Sequence, residues 1–378
     1  MKTPKNGQLR SRRFVYMCVA NWFLHLYVFA MWPLLLAMVQ ANALPLSTLA
    51  WAAIAFAVGM ILPGPFVAQW LERRSRKSVL LKAVLWMSIP PTCMLLFWHH
   101  AAALVAAHAL QGLSFGIAQS TLGTTLVNDI LLSRERTRGD VHYAWAGRLG
   151  IPAGLCAGCV ALLHLPVQEA LQWSLVLALL AFLCIGNVNV PLKAPVKMPR
   201  FTLDRFFLPS SYPLMLTMFV GPWLLGRMVG LHLTMPMMAC MTAGAVVAYV
   251  LQRFTRYLWP QRWHMLVAYV LLLVAVALHR ASTPWADEVA ALLIGIGTST
   301  LSARHLLDWL VRSAHCQRGT AQNTYMIAWR VAFAAGVSCS LLVASHIGVA
   351  DALLCLCGAV GYLMWRRRPA ACCKPRQR

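Results

Sequence analysis

The sequence predicts an all-α integral membrane protein: twelve transmembrane helices in two pseudo-symmetric six-helix bundles. Three observations carry that expectation. Hydrophobic residues fill 60% of the 378 positions and charged residues only 11%, with a mean hydropathy of +0.64. A soluble domain carries about a quarter charged residues, so lipid is the solvent this composition fits. Apolar runs recur at the length of about 20 residues that a bilayer-spanning helix needs. Finally, a polar signature occurs twice. Gly116-Ile117, Ser120-Thr121-Leu122 and Asp129 return as Gly295-Ile296, Ser299-Thr300-Leu301 and Asp308. Arg138-Gly139, Tyr143, Arg148 and Gly154 return as Arg318-Gly319, Tyr325, Arg330 and Gly336. Such a repeat in a membrane chain implies two similar bundles with a site between them.

Taken in order, the first six runs lie near 14–39, 47–71, 79–98, 101–128, 141–164 and 169–191. A second six follow near 211–230, 233–252, 264–280, 285–311, 321–346 and 349–365. The expected domains are an N-terminal bundle over 1–191, a linker over 192–210, a C-terminal bundle over 211–365 and a basic tail over 366–378. Gly112 and Gly116 in the fourth run, and Gly150, Gly154 and Gly158 in the fifth, have the spacing that lets helix backbones approach closely. Pro152 lets the fifth bend. The twelve cysteines are scattered through apolar runs, and Cys156-x-x-Cys159 reads as helix packing.

Charge placement tests this layout. With the amino terminus cytoplasmic, the inside segments hold Lys2 to Arg13, Arg73 to Lys77, Arg134 to Arg138, Lys193 to Arg205, Arg253 to Arg262, Arg312, Arg318 and the tail. The outside loops hold only Arg280. This obeys the positive-inside rule, and one missed helix would break the pattern. The net charge of +23 is therefore topological, with anionic membrane lipids as its partner and no nucleic acid. A multi-pass protein of the cytoplasmic membrane with both termini inside is expected. Ala41-Asn42-Ala43 imitates a signal-peptide cleavage site, but the apolar stretch before it is too long and contains Asn21, His25 and Pro33.

Polar groups inside a membrane cost several kcal/mol unless they face protein or water, so each is a candidate. Asn21 and His25 share one face of the first run. Gln111 and Gln119 lie in the fourth, Arg148 in the fifth, Arg227 in the seventh, Thr298 and Asp308 in the tenth, and Asn323 and Arg330 in the eleventh. Asn21, His25, Gln111, Gln119, Arg227, Thr298 and Asn323 are the expected cavity residues. Asp129 with Arg148, and Asp308 with Arg330, are the expected gating pairs, with pairing across the halves also compatible. If several arginines reach the cavity, an anionic or carboxylate-bearing substrate is favoured.

The loop after the second run reads Glu72-Arg73-Arg74-Ser75-Arg76-Lys77. Together with two six-helix halves and a cytoplasmic linker, it resembles the major facilitator superfamily of secondary transporters, which carries an acid, an arginine and a basic pair there. Ser75 and Ala68 stand where that family has glycines. The resemblance implies that Glu72, Arg73, Arg76 and Lys77 latch the cytoplasmic side by charge pairing. It also implies alternating-access transport of a small solute, with no catalytic set, cofactor or metal, by a monomer. Gly150, Pro152, Gly154 and Gly158 are similar to the family's exporter signature, so export is the expected direction. Protons are the optional coupling ion, with His25, Asp129 and Asp308 as carriers. The alternatives are a transport-inactive sensor or scaffold of the same fold, an uptake permease for an anionic metabolite, and a membrane enzyme.

Overall fold

The computed structural model describes residues 8–132, 134–190, 199–203, 206–209, 212–231, 233–255, 260–281, 283, 285–314, 317–343 and 348–366. Lys2, Lys5, Lys193, Lys197, Arg205, Arg256, most of the 192–210 linker and the tail beyond Arg366 lie outside the described residues.

Each predicted run is mostly helical among the described residues. The elements are α1 (Arg12–Ala41), α2 (Ser47–Ile61), α3 (Gly64–Arg73), α4 (Arg76–Trp86), α5 (Ile89–Leu96), α6 (Ala101–Thr121), α7 (Val127–Ile130), α8 (Arg136–His164) and α9 (Val167–Gly186). The second half holds α10 (Tyr212–Met218), α11 (Val220–Leu231), α12 (Met235–Thr255), α13 (Gln261–His279), α14 (Ala286–Arg312), α15 (Arg318–Leu342) and α16 (Val349–Arg366). Among the described residues nine helices are long and apolar enough to cross a membrane, counting α4–α5 and α6–α7 as single spans. Two bent pairs, α2–α3 at 42° and α10–α11 at 40°, are long and apolar enough when each is counted as one span, and Val349–Trp365 is a shorter apolar helix. Together they fill the twelve predicted runs.

Local sequence accounts for the ends and breaks. Ser11 starts α1 by accepting the Phe14 amide at 3.3 Å, and Ser75 starts α4 by accepting from Ser78 at 3.2 Å. Pro63 and Pro65 remove amide donors where α2 gives way to α3. Pro222 lacks the N–H that would bond the Met218 carbonyl, and the chain bends there. Between α6 and α7, Leu122–Leu126 form a wide π-turn whose Thr124 and Thr125 hydroxyls donate to the Ser120 and Thr121 carbonyls.

The duplication is visible in the packing. In the first half α1 packs on α8 and α2 on α6; in the second, α11 packs on α15 and α12 on α14. Repeated glycines set both kinds of seam. A methyl built on Gly154 would lie 2.6 Å from the Leu26 carbonyl oxygen, and one on Gly336 would lie 2.2 Å from that of Trp223. Both positions need glycine for the helices to meet. The halves touch where α2 meets α15 and where α8 meets α12 and α14. One end of the bundle, where α1, α8 and α15 begin and α3, α12 and α14 finish, carries Arg12, Arg73, Arg136, Arg253, Arg312 and Arg318. These arginines make it the basic end of the molecule.

Candidate functional site

A small cavity of about 40 Å³ lies between the halves, walled by α1, α6, α8, α14 and α15. That is room for a few waters and far below the space a metabolite needs. Its first-half wall is a closed network. Asn21 donates to the Tyr143 carbonyl at 2.9 Å, Gln119 donates to the Asn21 amide oxygen at 2.9 Å, and the Tyr143 hydroxyl donates to Gln119 at 3.1 Å. His25 Nδ1 lies 2.8 Å from the Asn21 carbonyl oxygen, which accepts its proton.

Two arginines complete the wall, and each leans on the opposite half. From α8, Arg148 Nη2 donates to the Ser302 carbonyl at 3.1 Å, and Nε and Nη2 each lie 3.3 Å from the Tyr325 hydroxyl. From α15, the Arg330 guanidinium carbon sits 4.7 Å from the Phe29 ring centroid, 5.1 Å from that of Phe115 and 4.8 Å from that of Trp329. These aromatic faces offer cation–π attraction but no countercharge. Arg148 is 6% exposed and Arg330 2%. The Nη1 of each has no hydrogen-bond partner among the described residues, and no carboxylate pairs with either arginine there.

Layers of side chains close the cavity at both ends. Toward the basic end, Ser120 donates to the Asn323 side-chain oxygen at 3.1 Å across the halves. Beyond it opens a vestibule of about 470 Å³ lined by Glu72, Arg76, Asp129, Arg136 and Arg318. Toward the opposite end, Phe29 and Trp32 of α1 meet Phe333 of α15 at 5.4 and 5.6 Å between centroids, and Ser338 donates to the Ala50 carbonyl at 3.1 Å.

Asn21, His25 and Gln119 thus meet at one site, and the other four expected cavity residues do not join them. Gln111 is buried on α6 about two turns farther from the basic end. Arg227 forms a buried ion pair with Asp351 at 3.4 Å, and Asp351 also accepts from the Trp223 indole at 2.8 Å. Thr298 donates to the Gly221 carbonyl at 3.1 Å, joining α14 to α11. Asn323, in the closing layer, donates to the Phe206 carbonyl at 3.0 Å.

The expected gating pairs are corrected. Asp129 pairs with Arg76, which also reaches Glu72 at 3.5 Å, and Asp308 accepts from the Tyr362 hydroxyl at 3.3 Å. The reason is depth. Both aspartates lie near helix ends at the basic end, whereas Arg148 and Arg330 lie about 18 Å along α8 and α15 from their starts. In the loop, Lys77 donates to the Gly186 carbonyl at 2.6 Å, and Arg73 is exposed. Sequence reasoning left Tyr143, Tyr325, Ser302 and Trp329 out of the site. The repeat had singled out both tyrosines, and that equivalence was the available signal.

Sequence comparison finds no matching family model and no matching curated protein. Comparison of structures finds close likeness in architecture. A bacterial homologue of the iron transporter ferroportin, in an outward-facing state, aligns over 95% of this chain and 99% of its own, with TM-score 0.65 and 15% identity. The human organic anion transporter MFSD10 (TETRAN) aligns over 95% of this chain and 100% of its own, with TM-score 0.66 and 18% identity. The nucleoside transporter NupG aligns over 93% and 97%, with TM-score 0.63 and 11% identity. At these identities the likeness is one of fold.

Proposed function

The chain has the fold of major facilitator transporters, and from that premise we propose that it is a secondary transporter moving a small anionic solute across the cytoplasmic membrane by alternating access. The observation that carries this reading is the pair Arg148 and Arg330, buried at one cavity without a carboxylate partner among the described residues. A buried charge costs several kcal/mol unless it is paired. A carboxylate or other oxyanion supplies the missing charge, and the unbonded Nη1 atoms supply donors for it. Asn21, Gln119 and Tyr143 orient the rest of the solute. One structural neighbour is named an organic anion transporter; the arginines, not that likeness, carry the argument.

The cavity is too small for a solute, so entry requires the halves, 1–191 and 211–365, to rock apart. Separation at the basic end, which we place in the cytoplasm, breaks the Ser120–Asn323 layer. Separation at the other end parts Phe29 and Trp32 from Phe333. In the loop of Glu72, Arg73, Arg76 and Lys77, Arg76 steadies the cytoplasmic side by bridging Glu72 and Asp129. Export is the direction assigned, on the glycine pattern of α8. The coupling ion is a proton, carried by Asp140. This carboxylate is fully buried, neither oxygen has a hydrogen-bond partner among the described residues, and its charged neighbours are Arg136 and Arg318. Arg318 belongs to the opposite half, so rocking changes the field at Asp140.

Counterflow in proteoliposomes tests the reading. Labelled carboxylates or inorganic anions are expected to exchange, and Arg148→Ala or Arg330→Ala to abolish that exchange. A preference for cations ends the proposal. Asp140→Asn is expected to keep solute exchange and lose acceleration by a pH gradient; unchanged acceleration removes Asp140 from the cycle.

A further inference from the structure

A second crevice, of about 180 Å³, opens between the halves at the basic end, where α8 meets α12 and α14. Arg138, His142 and Trp145 enter it from α8, Tyr249 and Arg253 from α12, and Arg304 from α14. Trp145 and Tyr249 meet edge to face at 5.3 Å and form an aromatic wall. Arg304 is 8% exposed and donates to His264 Nδ1 at 3.3 Å, which holds its guanidinium in place. No carboxylate is among the described residues that line the crevice.

The other interface of the halves makes the comparison. There, Arg318, the repeat counterpart of Arg138, shares the vestibule with Arg76 and Arg136, and also with Glu72 and Asp129. The chain balances that basic cluster with its own acids. Between α8 and α12 no acid is among the described lining residues, and Arg138 and Arg253 there suit an anion from outside. The position decides the kind of anion. Beside the crevice, α12 turns Val246, Val250 and Phe254 outward, the last 74% exposed, along the path an acyl chain takes from a headgroup. Basic clusters at this depth meet the phosphates of anionic lipids.

We propose that this crevice binds the phosphate headgroup of an anionic lipid, joining α8 of one half to α12 and α14 of the other. The bound lipid holds the basic end closed. It also reaches the central cavity through one side chain, because the Arg148 guanidinium carbon lies 5.4 Å from the Trp145 ring centroid.

The test is independent of transport. The full-length protein in phosphatidylcholine nanodiscs is titrated with short-chain phosphatidylglycerol while thermal unfolding is followed. A saturable rise in Tm is expected, with none from added phosphatidylcholine. R138Q/R253Q is expected to raise the half-saturating concentration roughly 30-fold, at the usual contribution of a basic residue near a lipid surface. R12Q/R13Q, which removes two exposed arginines at the same end, leaves it unchanged. An unaltered response in R138Q/R253Q, or an equal loss in R12Q/R13Q, overturns the site. Full stabilisation by inorganic phosphate alone overturns the lipid as occupant. Wild-type protein gives a second readout that no folding defect can blur. A photoactivatable phosphatidylglycerol is expected to label residues 137–145 and 249–253, and labelling spread evenly over the basic loops contradicts the proposal.

Discussion

Arg148 and Arg330 hold equivalent places in the repeat but sit in different surroundings. Arg148 has a hydroxyl and a carbonyl as acceptors, whereas Arg330 rests on three aromatic faces. Arg148→Lys is expected to weaken solute binding strongly, since a point-charge ammonium lacks the planar fork that bonds Ser302 and Tyr325 through Nε and Nη2 and keeps Nη1 apart from them. Removing either guanidinium should cost roughly 2–5 kcal/mol of solute binding, read from ligand-dependent thermal shifts. Arg227 behaves differently. Asp351→Asn leaves a buried cation with a weakened partner and should destabilise the protein by about 3 kcal/mol, while a saturating solute still raises the Tm. A solute response lost in that variant would return Arg227 to the binding site. These three arginines were legible in the sequence as charges with no reason to be in lipid. Their partners were not, because hydropathy and repeat spacing do not say which helix faces which. Ser302 and Tyr325 reach Arg148, and Phe29 and Phe115 reach Arg330, each from the opposite half, so matching charges within one half gave the wrong pairs.

At the scale of elements, the glycine seams set how closely the helices approach. Gly154→Val drives a branched side chain against the Leu26 carbonyl and should destabilise the α1–α8 pair by about 1–3 kcal/mol. Gly186→Ala, with nothing within 4 Å of the added methyl, should leave thermal unfolding nearly unchanged. Equal effects in the two variants would remove the seam argument. All twelve apolar runs were legible from length and composition, and their bounds differ from the helices by a few residues. The breaks at α2–α3 and α10–α11 were not anticipated, although Pro63, Pro65 and Pro222 stand in the sequence. Counting apolar length weighs side chains, whereas a break depends on a missing backbone donor. The π-turn at Leu122–Leu126 escaped for a related reason: apolar length does not register two threonine hydroxyls on the preceding carbonyls.

At the scale of the molecule, the two closing layers bracket one site and should not open together. On a background without native cysteines, S120C/N323C is expected to cross-link at the basic end, and A50C/S338C at the other. Either bridge should stop counterflow, and a reductant should restore it; flux through both bridged proteins would rule out rocking halves. A last consequence concerns the cycle with nothing aboard. Each guanidinium is seated partly on its neighbour's half, so parting the halves unloaded drags two bare cations off those cushions and leaves each with an aromatic face of its own helix. With a passenger bound, the same stroke moves a neutralised package. The vacant return stroke is thus the slow one, and one-for-one swapping outpaces net release. Radiolabel should leave preloaded vesicles faster when unlabelled cargo waits on the far side than when that side is empty.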